Sequence, residues 1–60
     1  MIEAFETLKR LVAAAEEDVQ KAAGGNKAAG TRVRRTMQDI KNAAQAVRMK
    51  VLEAREESSE

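Results

Sequence analysis

The sequence contains no cysteine, histidine, proline, tryptophan or tyrosine, and Phe5 is its one aromatic residue. Without cysteine there are no disulfides, and without cysteine or histidine the usual zinc sites are excluded. The metal-free, cofactor-free reading extends to catalysis. There is no histidine or thiol nucleophile and no glycine-rich phosphate loop. The adjacent acidic pairs Glu16-Glu17 and Glu56-Glu57 point in different directions on a helix. The chain is therefore read as a non-enzyme. No apolar run approaches the roughly 20 residues that span a bilayer, and the N-terminus lacks the charged start and apolar middle of a signal peptide. A cytoplasmic protein that does not cross a membrane is expected.

A domain of 60 residues buries only about 60% of the surface its unfolded chain exposes. Chains this small usually gain stability from disulfides, a metal or partner subunits. With the first two excluded and no bulky aromatic anchor available, self-association is the expected route, as a homodimer or tetramer.

What is present favours helix. Hydrophobic residues, many of them Ala, make up 43% of the chain and charged residues 35%. Most positions are strong helix formers. Met1, Phe5, Leu8, Val12, Ala15, Val19 and Ala22 are separated alternately by four and three residues, the a/d pattern of a heptad repeat. Val33, Met37, Ile40, Ala44, Val47, Val51 and Ala54 repeat it. Between them stands Gly24-Gly25-Asn26. The glycines suit a left-handed helix C-cap, and Asn26 suits the N-cap of the next helix.

The predicted fold is thus all-α: an antiparallel two-helix hairpin with helix 1 over about 3–23, a turn at 24–26 and helix 2 over about 27–57, in one domain, 1–60. The expected assembly is a four-helix dimer. Phe5, Leu8, Val12, Val19, Val33, Met37, Ile40, Val47 and Val51 are its core or oligomer seam. Leu11, Met49 and Leu52 fall off the seams and are expected to be exposed on a monomer. Helix 2 is expected to run unbroken through Gly30, and Ser58-Ser59-Glu60 to fray.

The net charge of +1 conceals a segregation. Residues 1–23 carry a net of −2, residues 24–50 a net of +6 and residues 51–60 a net of −3. Arg34, Lys41, Arg48 and Arg55 are each seven residues apart, so they form one stripe beside the apolar seam. Lys27, Arg32 and Arg35 crowd the start of helix 2, where the helix dipole favours anions. A phosphate there would accept hydrogen bonds from free amides and guanidinium groups together. Charged flanks of coiled coils also pair with acidic neighbours, so the pattern alone admits both a polyanion site and an ordinary paired face. A third possibility, a helix lying on anionic lipid, fits poorly with an apolar face rich in Ala and Val.

The stretch Gly25-Asn26-Lys27-Ala28-Ala29-Gly30-Thr31-Arg32-Val33-Arg34 resembles the Gly-Asn-Lys-Ala-Ala-x-x-Arg-x-Arg segment of the bacterial linker-histone-like nucleoproteins known from the condensed chlamydial nucleoid. The likeness continues more weakly through Ile40-Lys41 and Ala46-Val47-Arg48-Met49-Lys50. It implies a helical, nucleoid-associated protein that binds double-stranded DNA with little sequence preference and compacts it. Lys27, Arg32 and Arg34 occupy matching basic positions, and with Arg35, Lys41, Arg48 and Lys50 they make up the expected phosphate-contacting set. The best-known members carry a long basic tail, whereas this sequence closes on an acidic stretch from Glu53. The alternative reading is a helical oligomerisation module without direct DNA binding.

Overall fold

The computed structural model describes the backbone of residues 1–58 and the side chains of residues 1–55; the expected fraying of Ser59 and Glu60 lies outside the described residues. Two helices account for nearly all of it: α1, Ile2–Ala23, and α2, Lys27–Ser58. They pack against each other, and no strand occurs among the described residues.

The reversal is built from three residues whose hydrogen bonds satisfy both helix ends. The Gly25 amide donates to the Ala22 carbonyl and the Asn26 amide to the Lys21 carbonyl, each at 3.0 Å. With Gly25 at φ 101°, this is the Schellman closure of α1. Asn26 then changes role. Its Oδ1 accepts the Ala29 amide at 2.9 Å, capping the start of α2. One asparagine thus serves the end of one helix and the beginning of the next, and the chain is folded back with no slack. Helix α2 continues through Gly30, whose amide donates to the Asn26 carbonyl at 3.0 Å.

Seam assignment is where structure and sequence reading part. Leu8, Ala22, Val33, Ile40 and Val47 lie half-buried between the helices, and Ala15 is 4% exposed. Their companions are Ala4, Leu11 and Asp18 on α1, with Ala29, Thr36 and Ala43 on α2. Ala29 is fully buried. The expected seam residues Phe5 (47% exposed), Val12 (47%), Val19 (43%), Met37 (42%) and Val51 (38%) stay outside. Leu11, read as off the seam, is corrected to the interior; Met49 and Leu52 are exposed. The apolar face is wider than a two-in-seven seam. The two helices therefore bury its small-residue edge, where Ala permits close approach, and leave its large-residue edge open.

The result is an open hairpin. Its extents are 53 × 14 × 12 Å and its radius of gyration is 15.0 Å, against about 10 Å for a compact 60-residue domain. Helix α2 has 32 residues against 22 in α1, so it overhangs by ten residues, roughly 15 Å.

The turn makes the first test. Replacing Asn26 by Ala removes the cap and should lower stability by about 1 kcal/mol. Gly25→Ala forces a side chain into the left-handed region and should cost about 1–2 kcal/mol. Both are measured by urea denaturation followed by circular dichroism.

Candidate nucleic-acid interface

Residues seven apart on a helix share a face, and consecutive residues point about 100° apart. Lys41 and Arg48 therefore fall in line with Arg34 along one edge of α2, spaced roughly 10.5 Å per heptad. All three are exposed, and none has an ion-pair or hydrogen-bond partner among the described residues. Arg55 continues the same line onto the overhang, where it makes an interaction of its own. The line borders the exposed apolar stripe of Met37, Ala44 and Val51. Asp39, the single acidic residue between 24 and 50, sits five positions from Arg34 and falls on the opposite edge of the helix.

The seven expected phosphate contacts are not brought to one surface. Lys27, seven residues before Arg34, falls on the same line, exposed and without a partner among the described residues; Arg35 is likewise exposed and without a described partner but points about 100° away from Arg34 on the solvent side of α2. Lys50 pairs with Glu53 at 3.6 Å. Arg32 is engaged elsewhere: its Nε and Nη2 donate to the two carboxylate oxygens of Asp18 at 3.1 and 3.0 Å. This fork-on-carboxylate pair ties α1 to α2 at the closed end of the hairpin. Hydrogen bonding to the Arg32 guanidinium, aided by its charge and that of Lys21, holds the Asp18 carboxyl below its usual value. The same bond raises Arg32 further above its own. Arg32 is thus a structural clasp, and the basic surface is carried by its neighbours. The signal for the clasp was present in the sequence: Asp18 and Arg32 are each seven residues from Gly25, so a hairpin reversing there sets them opposite one another.

Beside the basic edge runs a groove of about 440 Å³ lined by Val12, Ala15, Val19, Met37 and Ile40, with Glu16 and Gln20 on its α1 rim. Phe5 extends the stripe toward the open end, its ring covered by the Lys9 ammonium at 5.6 Å from the centroid. Among the described residues no His/Cys/Asp/Glu cluster could hold a metal ion, and no helix is long and apolar enough to cross a membrane.

The family described as histone H1-like protein Hc1 matches residues 2–57, nearly the whole chain. The chain belongs to that family. The match covers both helices and the turn, so the hairpin described above is the part of this Hc1-family chain that carries the likeness. No curated protein and no solved structure matches the chain.

The clasp predicts a pH signature. Because the folded-state pKa of Asp18 is depressed, its contribution is fully present above the unfolded value near 3.8 and is lost as pH falls through the lower folded value. Below about pH 4 the wild-type hairpin should lose stability that Asp18→Asn has already lost. Thermal melts from pH 2.5 to 6 should show a shallower acid limb for the variant.

Proposed function

We propose that this Hc1-family chain is a histone-like, nucleoid-associated protein that binds double-stranded DNA without sequence preference. Arg34, Lys41 and Arg48 are the principal phosphate contacts, assisted by Lys27, Arg35 and Lys50, and with Arg32 a secondary contributor at most while it holds Asp18. The observation that carries this reading is the line of exposed cations on one edge of α2, Lys27, Arg34, Lys41 and Arg48, none with a partner among the described residues and no acidic residue between them on that line. Neutralising phosphates releases condensed counterions, a driving force indifferent to sequence. The scattered amides Gln38, Asn42 and Gln45 offer no organised base readout, and the lack of Trp and Tyr removes the stacking platforms used for single strands. Packaging in the nucleoid, through compaction or bridging, is the role such binding serves.

The open apolar stripe supports a second element of the reading, self-association into a four-helix dimer or a tetramer. A compact protein of 6.6 kDa exposes about 3,900 Å², whereas this hairpin exposes 4925 Å². The excess, on the order of 1,000 Å², is comparable with the roughly 800 Å² per partner buried in a standard interface. An oligomerisation module that never touches DNA rests on this observation alone and leaves the acid-free line of cations without a role.

Anisotropy titration with duplex DNA at about 50 and 200 mM salt separates the two readings. Affinity should fall steeply with salt, and Arg34→Gln/Lys41→Gln/Arg48→Gln should reduce the log–log slope by about 2.7, at roughly 0.9 per lost phosphate contact. A folded oligomer that binds no duplex at 50 mM salt would leave only the oligomerisation module. Self-association has its own readout: the melting temperature should rise with protein concentration, as it does when folding and assembly are linked.

A further inference from the structure

The exposed stripe is self-complementary in shape and in charge. On α1, Phe5, Val12 and Val19 are spaced evenly about Val12. A two-fold axis passing there sets Val12 on Val12 of a second copy and Phe5 on its Val19. On α2 the row Gly30, Met37, Ala44 and Val51 alternates small and large residues evenly about a point between Met37 and Ala44. The same axis sets Met37 against Ala44 and Val51 against Gly30, bulk against space. Open space at Gly30 is what the hairpin provides: a Cβ built there meets nothing within 4 Å. In the hairpin register Asp18 faces Arg32, which places Val12 level with Gln38–Asp39. The two centres of symmetry thus lie within one helical turn, about 3 Å, of each other.

Charge selects the same arrangement. Lys9 and Glu16 are seven residues apart on the outer rim of the α1 stripe, centred half a residue, under about 1 Å, from Val12. Antiparallel pairing of α1 with α1 of the second copy places Lys9 opposite Glu16 twice. The other two-fold packing, α1 on α2 of the second copy, sets Arg34 near Glu16 but Lys41 near Lys9. An isologous contact needs a surface complementary to itself, and the α1 edge meets that condition.

We propose that a second copy covers the groove about a two-fold axis at Val12, α1 on α1 and α2 on α2, and that the two Arg34–Lys41–Arg48 lines thereby merge into one phosphate-binding strip. The strip rests on the DNA reading above; the packing does not. Two basic lines side by side repel, so the bare dimer is weakened and a polyanion lying on the strip strengthens it. DNA binding and dimerisation are then reciprocally linked. A single dimer carries one strip, so it neutralises one duplex locally rather than bridging two.

The test is sedimentation equilibrium of the full chain at about 150 mM salt, where the Debye length is near 8 Å. Lys9→Glu and Glu16→Lys should each weaken self-association roughly tenfold by turning two attractive pairs repulsive, and the double variant should restore it. Both substitutions sit on exposed positions, and helicity by circular dichroism verifies folding of the single and double variants. Gly30→Phe should abolish association while leaving the hairpin folded, because its side chain enters open space in one copy. Rescue of Glu16→Lys by Arg34→Glu rather than by Lys9→Glu would overturn the proposed packing, as would single variants that associate like wild type. Adding a short duplex should tighten the wild-type dimer and leave Arg34→Gln/Lys41→Gln/Arg48→Gln unaffected. A duplex that binds without tightening the dimer would overturn the shared strip. A duplex that does not bind at all, with the charge-swap rescue intact, would instead remove the DNA reading and keep the packing.

Discussion

Two helices joined by three residues can bury only one strip of each against the other, and everything else about this protein follows from which strip they bury. The Gly24-Gly25-Asn26 turn leaves no freedom to slide: the Schellman bonds to Lys21 and Ala22 and the Asn26 cap on Ala29 fix the register. Asp18 and Arg32 then meet across it. In that register the contact line is Ala-rich and narrow, with Ala15 and Ala29 its buried residues. Such packing brings the helix axes close but removes little apolar surface per residue, so the hairpin alone gains little hydrophobic stabilisation. The larger side chains remain on one open face.

Segregation of charge gains its meaning from that geometry. On the edge away from the groove, Asp18, Arg32, Asp39 and Arg35 mix signs, and the Asp18–Arg32 pair serves the fold. On the groove edge the charged residues that α2 presents, among those described, are cations. A surface that is apolar in the middle and basic on one rim suits a molecule that meets its own copy on one side and a polyanion beside it. Membership of the histone H1-like protein Hc1 family places the chain among proteins named for that kind of partner.

Much of this was legible in the residues. The two helices, the glycine turn and the Asn26 cap are local features, set by backbone preferences that act over a few residues. The seam was harder, because the apolar face is broad and a strict four–three count fits two neighbouring lines. Counting by size favoured Phe5, Val12, Val19 and Met37; the helix pair chose Ala4, Leu11, Asp18 and Thr36 instead. Hydrophobic periodicity reports which face is apolar and not which partner will cover it. The basic line Arg34–Lys41–Arg48 could be read from spacing alone. The diversion of Arg32 could not be read from its neighbours in sequence, since it depends on a residue fourteen positions away.

The shared basic strip requires a second copy meeting the open stripe at Val12, and the absence of cysteine makes that contact directly measurable. Val12→Cys places one thiol on the proposed axis, and Ala13→Cys places one about 100° away on the exposed outer surface. A disulfide forms readily only when the two Cα atoms come within about 7 Å. In a mild thiol–disulfide buffer, Val12→Cys should convert to a covalent dimer that keeps its helicity, while Ala13→Cys stays largely monomeric. Equal conversion of both variants, or none in Val12→Cys, would contradict the two-fold packing on which the shared basic strip depends.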